Sequence, residues 1–241
     1  MKKLLLPLLF LTAARLDAQL IDSLNTAKNC LYMKPEEREM VYEINSVRSN
    51  PRSWVPIIDS IIKRSVMTLK TRGKGQRNYA LTYSTITIKG KESKKIDTTW
   101  NYENVEELKA LRSLLKDLKT MNRLSVLQPD SGIYLAMQSF AADQDAHHWA
   151  LLHTGSKGDH PWDRITKFSP RMRFGNENLA GSSPKNDAWE TVLQLLMDCG
   201  IPGYGHRYNL LDKQWTHVSC LSAGKKEGLH QWIQNFGVIK Q

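Results

Sequence analysis

Cysteine is scarce in this sequence, and the count is odd. The 241-residue chain contains Cys30, Cys199 and Cys220 and no other cysteine. An odd number cannot form a closed disulfide framework. Two interpretations stay open: a single Cys199–Cys220 bridge, or buried free thiols that pack as small hydrophobic side chains. The sequence also has no Asn-x-Ser/Thr acceptor, so N-linked glycosylation is not expected.

Long apolar runs are also missing. The apolar run 4–14 has 11 residues, whereas a helix that spans a bilayer needs about 20. It follows Lys2 and Lys3 and leads to a small-residue exit before Gln19, which predicts a secretory signal peptide over residues 1–18. A short membrane anchor is the alternative interpretation. No cysteine stands beside the predicted cut, so a bacterial lipoprotein is not expected. We therefore expect a secreted protein, extracellular or periplasmic, without a transmembrane segment.

Three common hydrolase signatures are absent. The sequence has no His-Glu-x-x-His motif, no Gly-x-Ser-x-Gly motif and no papain-like cysteine motif. The Ser182-Ser183 pair stands in a Gly-Ser-Ser-Pro run, which is typical of a loop. Nucleophilic catalysis therefore has little support, and the sequence favours a binding protein over an enzyme.

Positive charge is concentrated in one segment. The formal net charge is +10, of which residues 1–18 carry +2 and residues 63–100 carry +8. The rest of the chain is therefore close to neutral. Four lysines of this segment lie in or beside a Gly-Lys turn: Lys89, Lys91, Lys94 and Lys95. Such a cluster is often only a solvated surface; the functional alternative is adhesion to an anionic envelope surface, such as lipid headgroups or acidic glycans. Nucleic-acid binding is not expected, because aromatic residues that could stack on bases are sparse there.

Local patterns predict helices and strands in roughly equal number. The sequence changes character over residues 64–102, where the run RNYALTYSTITIKGKESKKIDTTWNY is rich in Tyr, Thr and Ile about the Gly-Lys turn and predicts a β-hairpin. The runs QWTHVSCLSA and LHQWIQNFGVI predict two antiparallel strands. Helices are predicted from Pro35 to Asn50, from there through Ile62, over 105–118, from Ser131 to about Trp149, and from about Asn186 to Gly200.

Four pieces of sequence occur in an order typical of one protein family. They are EREMVYEINSVRSNP, HTGSKGDHPWDRI, GNENLAGS and VLQLLMDCGIPGYGHRYNLL, and a Trp-rich strand pair follows them. Together they resemble the CAP superfamily (cysteine-rich secretory, antigen 5 and pathogenesis-related proteins, with an SCP-like domain), most of all its bacterial members. The resemblance covers about 36–63 and 104–239.

The resemblance implies an α+β fold: a three-layer α-β-α sandwich with a central antiparallel sheet. We expect a CAP-like domain over residues 35–241, preceded by an N-terminal segment over 19–34. The basic segment at about 64–103 has no counterpart in the family, and we interpret it as an inserted β-hairpin.

The resemblance also implies a cleft that gathers two histidines and two acids. The histidines match His153 and His206, and the acids match Glu177 and Asp198. Many family members have Glu where this chain has Asp198, so this acid reaches less far. Three expected glycines are also replaced, by Asn176, Ser219 and Cys220.

Two neutral imidazoles can bind one ion while carboxylates orient them through the other ring nitrogen. His153 and His206 are therefore candidate zinc ligands. The alternative is that the four polar residues bond only to one another and brace the cleft. We predict a binding or interaction protein whose cleft takes zinc or a small apolar or anionic ligand. The alternative function is a metal-dependent secreted hydrolase, a peptidase or esterase, with Glu177 as general base.

Other polar residues are expected to have structural roles. Asn45 and Arg48 match a family helix signature and should bond buried backbone. Asp163 and Arg164 should form a local ion pair or clamp their loop. The remaining histidines are expected in structural or surface positions: His147, His148, His160, His217 and His230.

Overall fold

The computed structural model describes residues 22–88, 91–148, 151–226 and 228–240, and of residues 78–101 and 226 the backbone alone. The predicted signal peptide, Lys89 and Trp149 lie outside the described residues. In chain order the elements are α1 (Pro35–Ser49), α2 (Val55–Arg72), β1 (Arg77–Ile88), β2 (Lys91–Tyr102), α3 (Glu103–Thr120), α4 (Ser131–His147), α5 (Pro161–Phe168), β3 (Met172–Ser182), α6 (Ala188–Met197), α7 (Gly205–Leu210), β4 (His217–Lys226) and β5 (Leu229–Ile239).

The chain divides into two compact units. Unit 1 comprises Met1–Asn50, Arg123–Leu195 and Tyr208–Gln241, and unit 2 comprises Pro51–Asn122 and Leu196–Arg207. In the part of the chain that the structure describes, no helix is long and apolar enough to cross a membrane.

Unit 1 contains a three-stranded antiparallel sheet in the order β3-β5-β4. The central strand β5 is buried at every position from 231 to 237. Successive residues of a strand point to opposite faces of the sheet, so continuous burial requires cover on both faces.

The contacts of β5 identify the two covering layers. On one face the Gln234 side chain contacts Met40 of α1, with 3.2 Å between Nε2 and Sδ. On the other face Gln231 Nε2 donates to Gln144 Oε1 of α4 at 2.7 Å. Helix α5 packs on the same face as α4. A Cβ at Gly175 of β3 would point to this face and would lie 2.6 Å from the side chain of Ile165 in α5. Unit 1 is therefore a three-layer α-β-α sandwich with an antiparallel sheet, and the predicted α+β fold class is confirmed.

Helix α1 begins where its sequence predicts. Pro35 occupies the first turn, and the backbone N–H of Lys34 donates to Glu37 Oε2 at 2.7 Å, as in a capping box. The Glu37 side chain is fully buried and also accepts from Tyr134 Oη at 2.9 Å and from the N–H of Ser222 at 3.0 Å. This carboxylate therefore joins α1 to α4 and β4.

Unit 2 contains the long helices α2 and α3 and the predicted hairpin. Strands β1 and β2 pair without interruption from Arg77↔Tyr102 to Ile88↔Lys91, and they form a separate two-stranded sheet. Asn104 Nδ2 donates to the carbonyl of Gly73 at 2.8 Å, which closes the base of the hairpin. The hairpin is confirmed.

The hairpin has the bounds of the run that predicted it, residues 77–102, whereas α2 continues to Arg72, beyond its predicted end at Ile62. The buried positions of α2, Ile58 and Ser65, are seven residues apart, and the Ser65 hydroxyl donates to Glu107 at 2.7 Å. A buried serine weakens the apolar stripe by which such a helix is recognised.

Two further elements differ from what the sequence predicted. Strand β3 was not predicted. Its sequence FGNENLAGS has polar residues on both faces of the strand, so it shows neither the alternation nor the apolar run by which a strand is recognised. The helix predicted from about Asn186 to Gly200 spans only Ala188–Met197. Of the two alternatives left open for the cysteines, the structure has free thiols and no Cys199–Cys220 bridge; Cys220 is buried and Cys199 is exposed. Burial raises the pKa of the Cys220 thiol well above its usual range.

Candidate functional site

The first histidine–carboxylate pair lies in unit 1. His153 belongs to the loop between α4 and α5, and its Nδ1 lies 3.0 Å from Oε1 of Glu177 in β3. The Glu177 side chain is fully buried, whereas 48% of the His153 side chain is exposed. An ionised carboxylate can only accept, so Nδ1 carries the proton and the lone pair of the neutral ring is on Nε2.

Arg164 of α5 neutralises the buried Glu177. Its Nη2 lies 3.3 Å and 3.4 Å from the two carboxylate oxygens. The same nitrogen donates to the His153 carbonyl at 3.0 Å, so it also fixes the backbone of the histidine. The guanidinium stacks on Phe140, with Cζ 3.6 Å from the ring centroid. A buried carboxylate without such a partner would be costly, so Arg164 is the residue that allows Glu177 to be charged here.

The other side of Arg164 holds the loop that carries His153. Its Nη1 donates to the Asp159 carbonyl at 2.9 Å and lies 3.2 Å from Asp159 Oδ2. Gly155 closes the loop by donating its N–H to the Asp159 carbonyl at 2.9 Å. A Cβ at Gly155 would lie 2.5 Å from the Asp159 carboxylate, so a larger residue does not fit without movement. The loop clamp that was one of two expectations for Arg164 is therefore present.

The alternative expectation, an Asp163–Arg164 ion pair, is wrong. The Asp163 carboxylate instead accepts from the N–H of His160 at 2.9 Å and caps α5. Its charge therefore stabilises the first turn of that helix and is not used by Arg164.

The second histidine–carboxylate pair lies in unit 2, where α6 leads into α7. His206 Nδ1 lies 2.7 Å from Asp198 Oδ1, and the His206 backbone N–H donates to Asp198 Oδ2 at 2.9 Å. The Asp198 side chain is 2% exposed and that of His206 22%. One short carboxylate thus fixes both the ring and the backbone of the histidine, a role for which aspartate is long enough.

Backbone geometry places Asp198 at this position. Its φ of +51° lies in the left-handed region, and Gly200 and Gly203 follow with φ of +80° and +78°. Asp tolerates this region better than most residues because its side chain bonds locally. The chain can therefore turn sharply between Asp198 and His206 and bring the two side chains together.

Arg207 supports this turn from inside unit 2. The residue is fully buried, and its guanidinium donates to the carbonyls of Leu196 at 2.6 Å and Met197 at 3.0 Å. Its Nη1 also lies 2.9 Å from Asp117 Oδ2 of α3. The last carbonyls of a helix lack hydrogen-bond donors within that helix. Arg207 supplies donors to two of them, on the residues directly before Asp198. The role of Arg207 was missed from the sequence, although it directly follows His206 in the GHR run.

Both pairs have the arrangement that metal-binding histidines use, with one ring nitrogen bonded to a carboxylate. Among the described residues, no group of three or more His, Cys, Asp or Glu side chains is placed to hold a metal ion. Catalytic zinc sites have three protein ligands and structural sites four. Each unit by itself supplies one oriented imidazole.

The geometry of Glu177 does not fit the role of a general base. Its side chain has no exposed surface and is held by both Arg164 and His153. A base must reach the proton that it abstracts, directly or through one water molecule. Glu177 would have to leave its ion pair to do so.

Asn45 and Arg48 of α1 bond buried backbone. Arg48 Nη1 donates to the carbonyls of Leu210 at 2.8 Å and Asp212 at 2.9 Å. Asn45 accepts from the N–H of Leu127 at 2.8 Å and donates to its carbonyl at 3.1 Å. These contacts hold the segments that precede α4 and follow α7.

Two of the other histidines also have local contacts. His147 Nδ1 lies 2.8 Å from the Asp143 carbonyl at the end of α4. His160 stacks on Trp162 with 4.5 Å between ring centroids. Neither contact involves His153 or His206.

Two solved structures resemble this one. An outer surface protein from Borrelia burgdorferi is 20% identical, with a TM-score of 0.41, over 57% of this chain and 96% of that chain. An extracellular protein containing an SCP domain, from Bacillus anthracis strain Ames, is 13% identical, with a TM-score of 0.38, over 72% of this chain and 71% of that chain. The SCP domain is the CAP-type domain that the sequence motifs resemble. No protein-family model and no curated protein matches the sequence.

Proposed function

We propose that this protein is a secreted binding protein of the CAP type and that His153 and His206 bind zinc through Nε2. The observation that carries the proposal is the common design of the two pairs. In each pair Nδ1 is bonded to a buried carboxylate, so the lone pair of the neutral ring is on Nε2.

Binding is favoured over hydrolysis for two reasons. Glu177, the candidate base, is enclosed and held by Arg164. The described residues also offer no group of three metal ligands, the number that a catalytic zinc site uses.

Zinc titration calorimetry of the purified protein at neutral pH tests the proposal. We expect saturable zinc uptake that is weakened by His153→Ala and by His206→Ala. His147→Ala removes a histidine outside both pairs and is the matched control. Affinity should fall as the pH is lowered, because a protonated imidazole cannot bind metal.

The carboxylates provide a second test of the same proposal. Glu177→Gln keeps His153 in place but weakens the acceptor of its Nδ1 proton, and zinc affinity should fall about 10- to 100-fold. Zinc uptake that is unchanged in the His153→Ala/His206→Ala double variant would contradict the proposal. Zinc-dependent cleavage of casein, peptidoglycan or esters that is lost in both histidine variants would replace it with the hydrolase function.

We also propose that the basic hairpin binds an anionic envelope surface. The whole excess charge of the chain without residues 1–18 lies in residues 63–100, and the hairpin strands β1 and β2 form a sheet of their own. Such contacts weaken steeply with salt, because the Debye length shrinks from about 10 Å at 0.1 M to about 3 Å at 1 M.

Retention on heparin resin and on anionic vesicles in a salt gradient tests this second proposal. Replacing the four hairpin lysines with serine should move elution to much lower salt and leave zinc affinity unchanged (Lys89, Lys91, Lys94, Lys95). The control replaces four exposed lysines elsewhere, with the same change of net charge (Lys109, Lys116, Lys119, Lys213). Equal elution of the two variants would assign the hairpin charge to solubility alone.

A further inference from the structure

Two buried glutamines hold the backbone directly before His153. Gln231 of β5 is 2% exposed, and its Oε1 accepts from the N–H of Leu151 at 3.1 Å. Its Nε2 donates to Oε1 of the fully buried Gln144 in α4 at 2.7 Å, and Gln144 Nε2 donates to the carbonyl of Leu152 at 3.2 Å. Each amide therefore bonds through both its oxygen and its nitrogen. The pair joins α4 and β5 to the backbone of two successive residues in the loop that carries His153.

The backbone at Leu151 needs such support. Its φ of +55° lies in the left-handed region, which is unfavourable for a bulky side chain. A residue keeps this conformation only where the surrounding contacts determine it. The Leu151 side chain also packs on the sheet, since a Cβ at Gly181 of β3 would lie 3.3 Å from its Cδ1. The loop is therefore fixed, two residues before the histidine, in a conformation that an unsupported chain disfavours.

The other side of His153 is held by Arg164, whose Nη2 donates to the His153 carbonyl at 3.0 Å. The backbone of His153 is thus bonded on both sides, and its ring meets the buried Glu177 carboxylate with 3.0 Å between Nδ1 and Oε1. The partner of Nδ1 fixes both the tautomer and the orientation of a histidine ring that binds metal. Contacts that place the ring beside Glu177 therefore also decide where its Nε2 lies.

We propose that Gln144 and Gln231 are positioning residues for the metal-binding nitrogen of His153. They act through the backbone of Leu151 and Leu152, which sets how the ring meets the carboxylate of its partner. A role in packing alone would lower stability and leave the ring as it is. The proposal rests on the binding of zinc by His153, whereas the orientation of the ring can be measured without zinc.

Substitution by methionine separates positioning from packing. Gln231→Met and Gln144→Met each leave the buried amide of the other glutamine without its partner, whereas the double variant removes both amides. The double variant should therefore be more stable in thermal unfolding than either single variant. Positioning should not recover with stability, because the bonds to Leu151 and Leu152 are still missing. Gln234→Met is the matched control, since Gln234 is a buried residue of the same strand on the other face of the sheet.

Nitrogen-15 NMR of histidine-labelled protein at pH 8 observes the His153 ring without zinc, and His153→Ala assigns its signals. The parent and Gln234→Met should show the neutral ring with its proton on Nδ1. The variants of the glutamine pair should show a mixture of both tautomers. In calorimetry their zinc affinity should be about three- to tenfold lower, less than the 10- to 100-fold typical when a direct partner of a ligand is lost.

The proposal is overturned if the folded double variant keeps both the proton on Nδ1 and the parental zinc affinity, or if both recover with stability. It is also overturned if the substitutions weaken zinc binding equally in the His153→Ala background, because the pair would then act elsewhere. The double variant keeps the test decisive if a single variant fails to fold. If the parent takes up no zinc, the proposed function fails, and the tautomer of His153 by itself decides whether the pair positions the ring.

Discussion

Replacing Glu43 with glutamine should stabilise this protein at alkaline pH and have little effect at acid pH. In the folded chain the pKa of Glu43 is raised from 4.5 to about 7, first by burial and then by Glu39 and Asp187. Above pH 7 folding therefore requires a carboxylate to be charged where charge is unfavourable. Glutamine has nearly the same shape and carries no charge.

The size of the effect follows from the pKa. A rise from 4.5 to about 7, at 1.36 kcal/mol for each pKa unit, corresponds to about 3.4 kcal/mol. Glu43 keeps part of its surface in water, so solvent screening reduces this figure to about 1–2 kcal/mol.

The sign is set by where the protons are. Between pH 4.5 and 7 the folded state keeps the Glu43 proton while the unfolded state has lost it. The free energy of unfolding from this group therefore falls as the pH rises through that window, and it is constant above and below.

Urea unfolding of parent and Glu43→Gln at pH 8 and pH 4 measures the effect. The variant should be about 1–2 kcal/mol more stable at pH 8 and nearly equal at pH 4. Glu39→Gln should give a smaller gain of the same sign, because it removes one repelling charge. The reasoning is refuted if Glu43→Gln gains as much at pH 4 as at pH 8, or if it loses stability at pH 8.

Three other substitutions test the packing of unit 1, each by the free energy of unfolding in urea. Arg164→Met should cost about 3–5 kcal/mol, since Glu177 would remain buried without its ion-pair partner; a loss below 1 kcal/mol would show that water replaces the guanidinium. Gly175→Ala should cost about 1–3 kcal/mol, because the new Cβ would lie 2.6 Å from the Ile165 side chain. Unchanged stability would show that the sheet and α5 can move apart without cost at this position. Asn45→Ala should cost about 2–4 kcal/mol, because the buried N–H and carbonyl of Leu127 would lose their partner. Asn45→Asp should restore only the part of this stability that comes from accepting the N–H of Leu127.

Much of the fold could be predicted from local patterns. Helix α1 begins with a proline and acids and has an apolar stripe, and the sequence of β5 is itself a strand-forming run. Both elements were therefore predicted close to their observed bounds. Strand β3 was missed because its polar residues are buried: Asn178 bonds Gln234 inside the sandwich at 3.2 Å. A pattern based on apolar residues cannot detect a strand whose buried partners are amides.

The candidate site was only half predictable. The motifs identified His153 and Glu177, and the structure brings them together at 3.0 Å. The loop clamp by Arg164 was one of two expectations, but its partners Asp159 and Glu177 were not predicted, because they are 5 and 13 residues away and meet it only through the loop and the sheet. Adjacent Asp163 was the nearer partner in sequence, but it is used to cap α5.

The position of β5 in its sheet sets the order of events during synthesis. This strand separates β3 from β4, yet it follows both of them along the chain. Until residues 229–239 have left the ribosome, β3 and β4 have no neighbouring strand to pair with, and α1 and α4 have no completed surface to cover. The sandwich of unit 1 therefore cannot be complete before this strand has been synthesised and has inserted between β3 and β4.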